Sequence, residues 1–270
     1  MISSRSILLL ALFITSLGFQ ACKEREPIDL LFTVEDDKSL GLQLKQEIDA
    51  NPQEYPILDR TEYADAYAYL EGLRDEVLAS NVIRFKDEFT WEVHIIDADV
   101  LNAFAAPGGY IYFYTGLIKY LDEEDALMGV MGHEIAHADR RHSVKQMMKT
   151  YGVQTLLSIA LGDNASGAAT LAAQIAGTGA ALKFSRSDET EADAFSVEYL
   201  SETPYRCDAA AIFFEKISEQ NDGVNIPQIL STHPSPDNRV EDIRAKAEEV
   251  GCSMEPFNPT SYADFKAMLP

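Results

Sequence analysis

The segment that most constrains this chain is Met131-Gly132-His133-Glu134-Ile135-Ala136-His137-Ala138-Asp139. On an α-helix, residues four apart lie on one face, so His133 and His137 can present two imidazoles to a single ion. Glu134 follows His133 by about 100° around the axis, where its carboxylate can take a proton from a zinc-bound water. The fold must therefore carry a helix through this segment, leave its histidine face open to a further ligand, and cover the positions opposite, where Leu127, Met128, Val130 and Met131 are apolar. His-Glu-x-x-His arises by chance in on the order of one chain in a hundred, so it needs support from elsewhere in the sequence.

A catalytic zinc takes three protein ligands and keeps one position open. A metzincin arrangement would need Gly at 140 and His at 143, where this chain has Arg140 and Ser143, and it is excluded. His142 lies roughly 140° from His137 on a continuing helix and is expected at the surface. The better source is Ser185-Arg186-Ser187-Asp188-Glu189-Thr190-Glu191-Ala192-Asp193. Glu189 and Asp193 share a helix face, so one can bind the metal while the other holds a ligating imidazole.

The rest of the chain reads as an α+β, predominantly helical domain. A β-rich segment from Trp91 to Asp97, then Leu101 to Ala106 and Tyr110 to Thr115 joined through Pro107-Gly108-Gly109, predict a small sheet. Helices are expected near Leu40–Ile48, Tyr63–Leu78, Glu123–Arg141, Val144–Leu161, Ala168–Lys183, Asp188–Ser201, Asp208–Gln220 and Asp237–Val250. The Ala- and Gly-rich helix after Ala168 is shorter than the roughly 20 residues a membrane span requires and reads as core. His94, on an alternating strand, reads as a half-exposed sheet residue.

A basic start and an apolar run from Ile7 to Phe19 describe an export signal over residues 1–21, and Ala21-Cys22 resembles the end of a bacterial lipoprotein signal, with Cys22 as the lipid-bearing residue; the alternative is a general secretory signal. Residues 22–39 read as a flexible tether, 40–252 as the folded domain and 253–270 as a tail without clear period. Export leaves Cys207 and Cys252 as a candidate disulfide. The formal charge of −22 argues against a nucleic-acid partner, which needs clustered Lys and Arg.

Taken in order, Asn102-Ala103-Phe104-Ala105-Ala106-Pro107-Gly108-Gly109, Gly132 to His137, Ser185-Arg186 leading into Glu189 to Asp193, and His233-Pro234 followed by Arg239 resemble the M48 family of peptidases. The resemblance implies a zincin-like domain with its small sheet beside the His-Glu-x-x-His helix. It implies one Zn2+ per chain held by His133, His137 and Glu189, with Glu134 activating water and Asp193 supporting a ligand and helping in proton transfer. His233 and Arg239 would lie near the open zinc position, His233 equally as a plug or cap. Arg239 would be an oxyanion donor, its alternative being a solvated residue at the start of the last helix. Residues 102–106 would form an edge strand that pairs with extended peptide. Glu191 points about 200° away from Glu189 on a helix, so only one of the two can face the metal.

The function expected is that of a zinc metalloendopeptidase acting on extended or misfolded protein at the bacterial envelope, anchored to a membrane through its lipid and working with envelope protein partners. The alternative is a latent or non-cleaving, chaperone-like binding module on the same fold.

Overall fold

The computed structural model describes residues 27–220, 228–259 and 262–270; the expected signal and Cys22 lie outside them. Two helices, α1 (Val34–Asp49) and α2 (Ala64–Leu78), precede strands β1 (Glu92–Ile96), β2 (Ala103–Ala106) and β3 (Tyr110–Tyr114). After these come α3 (Thr115–Tyr120), α4 (Glu124–Asp139), α5 (His142–Tyr151), α6 (Val153–Ala160), α7 (Ala165–Ala172), α8 (Arg186–Leu200), α9 (Ala209–Gln220), α10 (Gln228–Thr232), α11 (Arg239–Val250) and α12 (Tyr262–Ala267).

The sheet has the order β1-β3-β2. The β2–β3 pair is an antiparallel hairpin, Ala103 opposite Phe113 and Ala106 opposite Tyr110, while β1 runs parallel to β3. Pro107-Gly108-Gly109 makes the turn because both glycines have positive φ, 73° and 86°, which costs an L side chain energy and glycine nothing. Helices cover both faces of the sheet. Val93, Ile95, Ala103, Ala105, Ile111 and Phe113 join the core containing α2, α4, α8 and α9. Ile96, Phe104, Ala106, Tyr110, Tyr112 and Tyr114 join a second core with α1, α6 and α7. His94 belongs to that second face; it is buried and stacks on Tyr112 at 4.8 Å, so the half-exposed reading is corrected.

The helix α4 is buried along its whole length. It packs against α2, α8, α9 and β2, and a Cβ at Gly129 would come within 2.4 Å of the α9 backbone at Ala210. A glycine at that point is what allows the two helix axes to approach so closely.

Several boundaries differ from those expected. Helix α1 begins inside the segment read as a tether: Thr33 caps it in a reciprocal box with Asp36, and Phe32 and Asp37 are buried. The reason is long-range, because the Asp37 carboxylate accepts from Arg141 at 2.7 Å (Nε) and 3.0 Å (Nη2). Residues 262–270 are also not a loose tail. Tyr262 donates to the Ile118 carbonyl at 2.7 Å, and Phe265 stacks on Tyr69 with ring centroids 4.0 Å apart. The helix expected over Val144–Leu161 divides at Gly152 (φ 82°) into α5 and α6, and that expected over Ala168–Lys183 loses α-helical form after Ala172.

Cys207 and Cys252 are joined in a disulfide with a sequence separation of 45 residues. On the chain-entropy account, closing that loop stabilises the fold by about 4 kcal/mol. Reduction, or the paired Cys207→Ala and Cys252→Ala substitution, is expected to lower the denaturant midpoint accordingly. An unchanged midpoint would count against the estimate, and thiol titration of the unreduced, denatured protein should find neither cysteine free.

Candidate metal centre

Helix α4 supplies His133, Glu134 and His137 from its last two turns. Its end is fixed by Asp139, whose carboxylate accepts from the Phe85 backbone N–H and the Tyr199 hydroxyl, both at 2.7 Å. Helix α8 starts at Ser185 in a capping box with Asp188, which satisfies backbone donors at the helix N-terminus and sets the helical phase. That phase puts Glu189 in the first turn and Asp193 one turn later, both facing α4. His233 enters from the chain just after α10, held there because Phe184 N–H donates to the Thr232 carbonyl at 3.0 Å. Phe184 also stacks on His137 with centroids 3.9 Å apart.

His133, His137, Glu189 and His233 converge: each offers one ligand atom, and these atoms lie within 4.8 Å of one another. His133 Nε2 is 3.0 Å from His137 Nε2 and 3.3 Å from His233 Nδ1; Glu189 Oε1 is 3.1 Å from His233 Nδ1 and 3.4 Å from His137 Nε2. All four side chains are buried. Three imidazoles and a carboxylate at these spacings are a donor set for a divalent transition-metal ion, and the buried His233 Nε2 has no hydrogen-bond partner. The donors therefore fit a metal. Burial depresses the His137 pKa well below the ordinary imidazole value, which keeps its lone pair available. Burial also disfavours charge on His133 and Glu189, but their neighbours outweigh it. Asp193 and Glu189 raise His133 to about 9, while His233 and His137 hold the Glu189 carboxylate well below its usual range.

Glu134 stands beside this group. Burial pushes its pKa up, and Oε1 lies 3.6 Å from His233 Nε2. Asp193 Oδ1 is 2.9 Å from His133 Nδ1, the ring atom turned away from the cluster. Arg239 is buried, so the alternative of a solvated arginine at a helix start does not hold. Its Nε and Nη2 donate to Asp193 at 2.7 and 2.8 Å, Nη2 donates to Glu189 Oε2 at 2.9 Å, and the guanidinium lies 3.4 Å from the Phe214 ring centroid. In this arrangement it clamps the two carboxylates of α8. Its Nη1 has no hydrogen-bond partner.

The structure corrects the position expected for His142. It is buried, with Nδ1 3.1 Å from His137 Nδ1 and Nε2 3.3 Å from Glu191 Oε2. The helical angle does not apply, because α4 ends at Asp139 and Arg141 takes a left-handed conformation (φ 59°), which turns the chain back. Glu191 faces away from the cluster, toward His142 and Arg140. The His142 hydrogen bond is the main cause lowering its pKa to about 2. The outer edge of β2 is not open: its residues are buried, Ser143 donates to the Ala105 carbonyl at 2.7 Å, and Ile229 N–H donates to the Leu101 carbonyl at 3.1 Å.

The sequence model of peptidase family M48 matches residues 66–247, which contain every residue of this cluster. The chain belongs to peptidase family M48. Among relatives of this M48 chain, the beta-barrel assembly-enhancing protease of Escherichia coli (strain K12) is 32% identical over 181 residues, 63% of this chain and 36% of that protein. The protein of the same name from Yersinia pestis is 28% identical over 208 residues, 73% of this chain and 41% of the relative. The mitochondrial metalloendopeptidase OMA1 of Schizosaccharomyces pombe is 32% identical over 159 residues, 58% of this chain and 46% of its own length. The M48 chain thus spans less than half the length of each. Among its described residues, no helix is long and apolar enough to cross a membrane.

Proposed function

We propose that the chain is a zinc-dependent metalloendopeptidase, with His133, His137 and Glu189 as ligands and Glu134 as general base, acting on extended or misfolded protein. The observation that carries the reading is a buried three-histidine, one-glutamate cluster set beside the fully buried carboxylate of Glu134. Nitrogen and oxygen donors of this kind suit Zn2+, which when bound would polarise the scissile carbonyl and make a water more acidic. Glu134 accepts the proton of the attacking water at a carboxylate oxygen and delivers it to the leaving amine as the C–N bond breaks. Asp193 orients His133 through Nδ1, and Arg239 holds Asp193 and Glu189 in place.

A second reading, a latent or non-cleaving binding module, is favoured by one observation: His233 occupies the cluster as a fourth donor while the edge of β2 is covered. Purified protein is expected to carry one Zn2+ per chain and to cleave an unfolded protein, losing that activity to a chelator and regaining it with Zn2+. His233→Ala separates the readings. Increased cleavage identifies His233 as a plug on a working peptidase, whereas silence from both zinc-loaded proteins supports the non-cleaving module.

Metal content also tests the ligand assignment. Glu189→Ala should bind Zn2+ at least about tenfold more weakly, since losing a ligand should cost no less than losing one of the groups that orient it. Undiminished zinc in that variant would remove Glu189 from the ligand set. We assign the chain to the bacterial envelope as a lipoprotein anchored at Cys22, with envelope proteins as substrates or partners. The relatives named for β-barrel assembly support the envelope assignment, as does a disulfide, which forms in oxidising compartments; the anchor rests on the Ala21-Cys22 sequence alone.

A further inference from the structure

Resting on the metal-site reading above, we propose that His142 is a positioning residue that, backed by Glu191 and Arg140, fixes the tautomer of His137. The contacts run inward from the carboxylate. Arg140 Nε donates to Glu191 Oε1 at 3.0 Å, and Arg140 also lies over the Phe195 ring at 4.2 Å, so the carboxylate is held from behind. Glu191 Oε2 faces His142 Nε2 at 3.3 Å. A carboxylate can only accept, so Nε2 of His142 carries the hydrogen. In its neutral form His142 has one N–H, and with that hydrogen on Nε2 its Nδ1 is an acceptor. That acceptor is 3.1 Å from His137 Nδ1, and the pair bonds only when His137 Nδ1 is the donor. The remaining nitrogen, His137 Nε2, then has its lone pair in the plane of the ring and directed at the cluster, 3.0 Å from His133 Nε2.

The two rings meet nearly edge to face, with centroids 5.0 Å apart and planes at 74°. Backbone geometry makes the meeting possible: the left-handed Arg141 brings His142 alongside a residue five positions earlier, and the buried guanidinium of Arg141 is locked onto Asp37 and the Phe32 carbonyl. His133 receives the corresponding support from Asp193 on the other side. The two histidines of α4 are thus oriented by different elements, one through α8 alone and the other through the start of α5 backed by α8.

The test compares His142→Phe, which keeps a buried ring and removes the acceptor, with His142→Asn, whose side-chain oxygen can take the place of Nδ1, and Glu191→Ala at a part-exposed position. Zn2+ affinity is measured by competition with a chromophoric chelator, and the His137 tautomer by long-range 15N–1H correlation on 15N-histidine-labelled protein. His142→Phe should weaken Zn2+ binding about 10–100-fold and release His137 from the Nδ1–H form. His142→Asn should recover most of the affinity, and Glu191→Ala should weaken binding in the same direction. Wild-type affinity in both His142→Phe and Glu191→Ala, or a His137 that carries its proton on Nε2 in the unsubstituted protein, overturns the proposal. If the unsubstituted protein takes up no Zn2+, the functional reading fails instead, and the tautomer measurement still decides this one.

Discussion

Glu134→Gln is expected to retain its metal and lose about a hundredfold or more in turnover, the scale on which a positioned general base acts, equivalent to about 2.7 kcal/mol of activation free energy. The substitution is nearly isosteric in a fully buried site, and Glu134 lies outside the four-residue donor group, so the ligands should not move. What changes is the capacity to accept a proton. Burial makes that capacity unusually strong, since a carboxylate removed from water is a stronger base than one in solvent. A second measurement guards against trivial inactivation: metal per chain and the thermal midpoint should both remain at the level of the unsubstituted protein or above it. A zinc-loaded Glu134→Gln protein that still cleaves at the original rate would remove the mechanism.

Asp37→Ala should cost about 3–5 kcal/mol of stability, the range for breaking a buried ion pair by removing one partner. The Asp37 and Arg141 side chains are each only 1% exposed, so loss of the carboxylate leaves a guanidinium charge in the interior facing the Phe32 and Thr33 carbonyls. For a chain of this size the thermal midpoint should fall on the order of 10 °C. The site should suffer too, because the same guanidinium holds the reversal that carries His142. Asp37→Asn, which keeps the shape and a hydrogen bond, should lose less. Equal losses in the two variants would show that packing, and not the charge pair, is what Asp37 contributes.

What could be read from the chain depended on how far away its causes lie. The pair His133 and His137, and the spacing of Glu189 and Asp193, are local facts about helices, and the helical phase carried them into the structure intact. The turn at Pro107-Gly108-Gly109 is likewise local. The position of His142 is not legible in the sequence because it depends on where α4 stops. That stop is enforced at Arg141 by Asp37, which lies 104 residues earlier. Arg239 looked equally like a solvated residue at the start of a helix. Its partners Asp193 and Glu189 lie 46 and 50 residues upstream, and no periodicity in either segment announces the meeting. The same holds at the C-terminus, where Tyr262 and Phe265 gain their meaning only from Ile118 and Tyr69. Signals for such contacts exist in principle: a lone acidic residue on the apolar face of α1 and an arginine directly before His142 are each costly to bury alone. Together they could have suggested a pair.

The disulfide between Cys207 and Cys252 has a further consequence, because His233 and Arg239 both lie within the stretch it encloses. That stretch is a covalent ring, and His233 can leave the cluster only as far as the ring's slack permits. The ring also governs the fate of a nicked molecule. A peptidase can cut its own kind, yet a single break between positions 207 and 252 separates nothing: both fragments remain one species until a reductant reaches the sulfurs. On a gel such a nick is invisible without thiol and yields two bands with it.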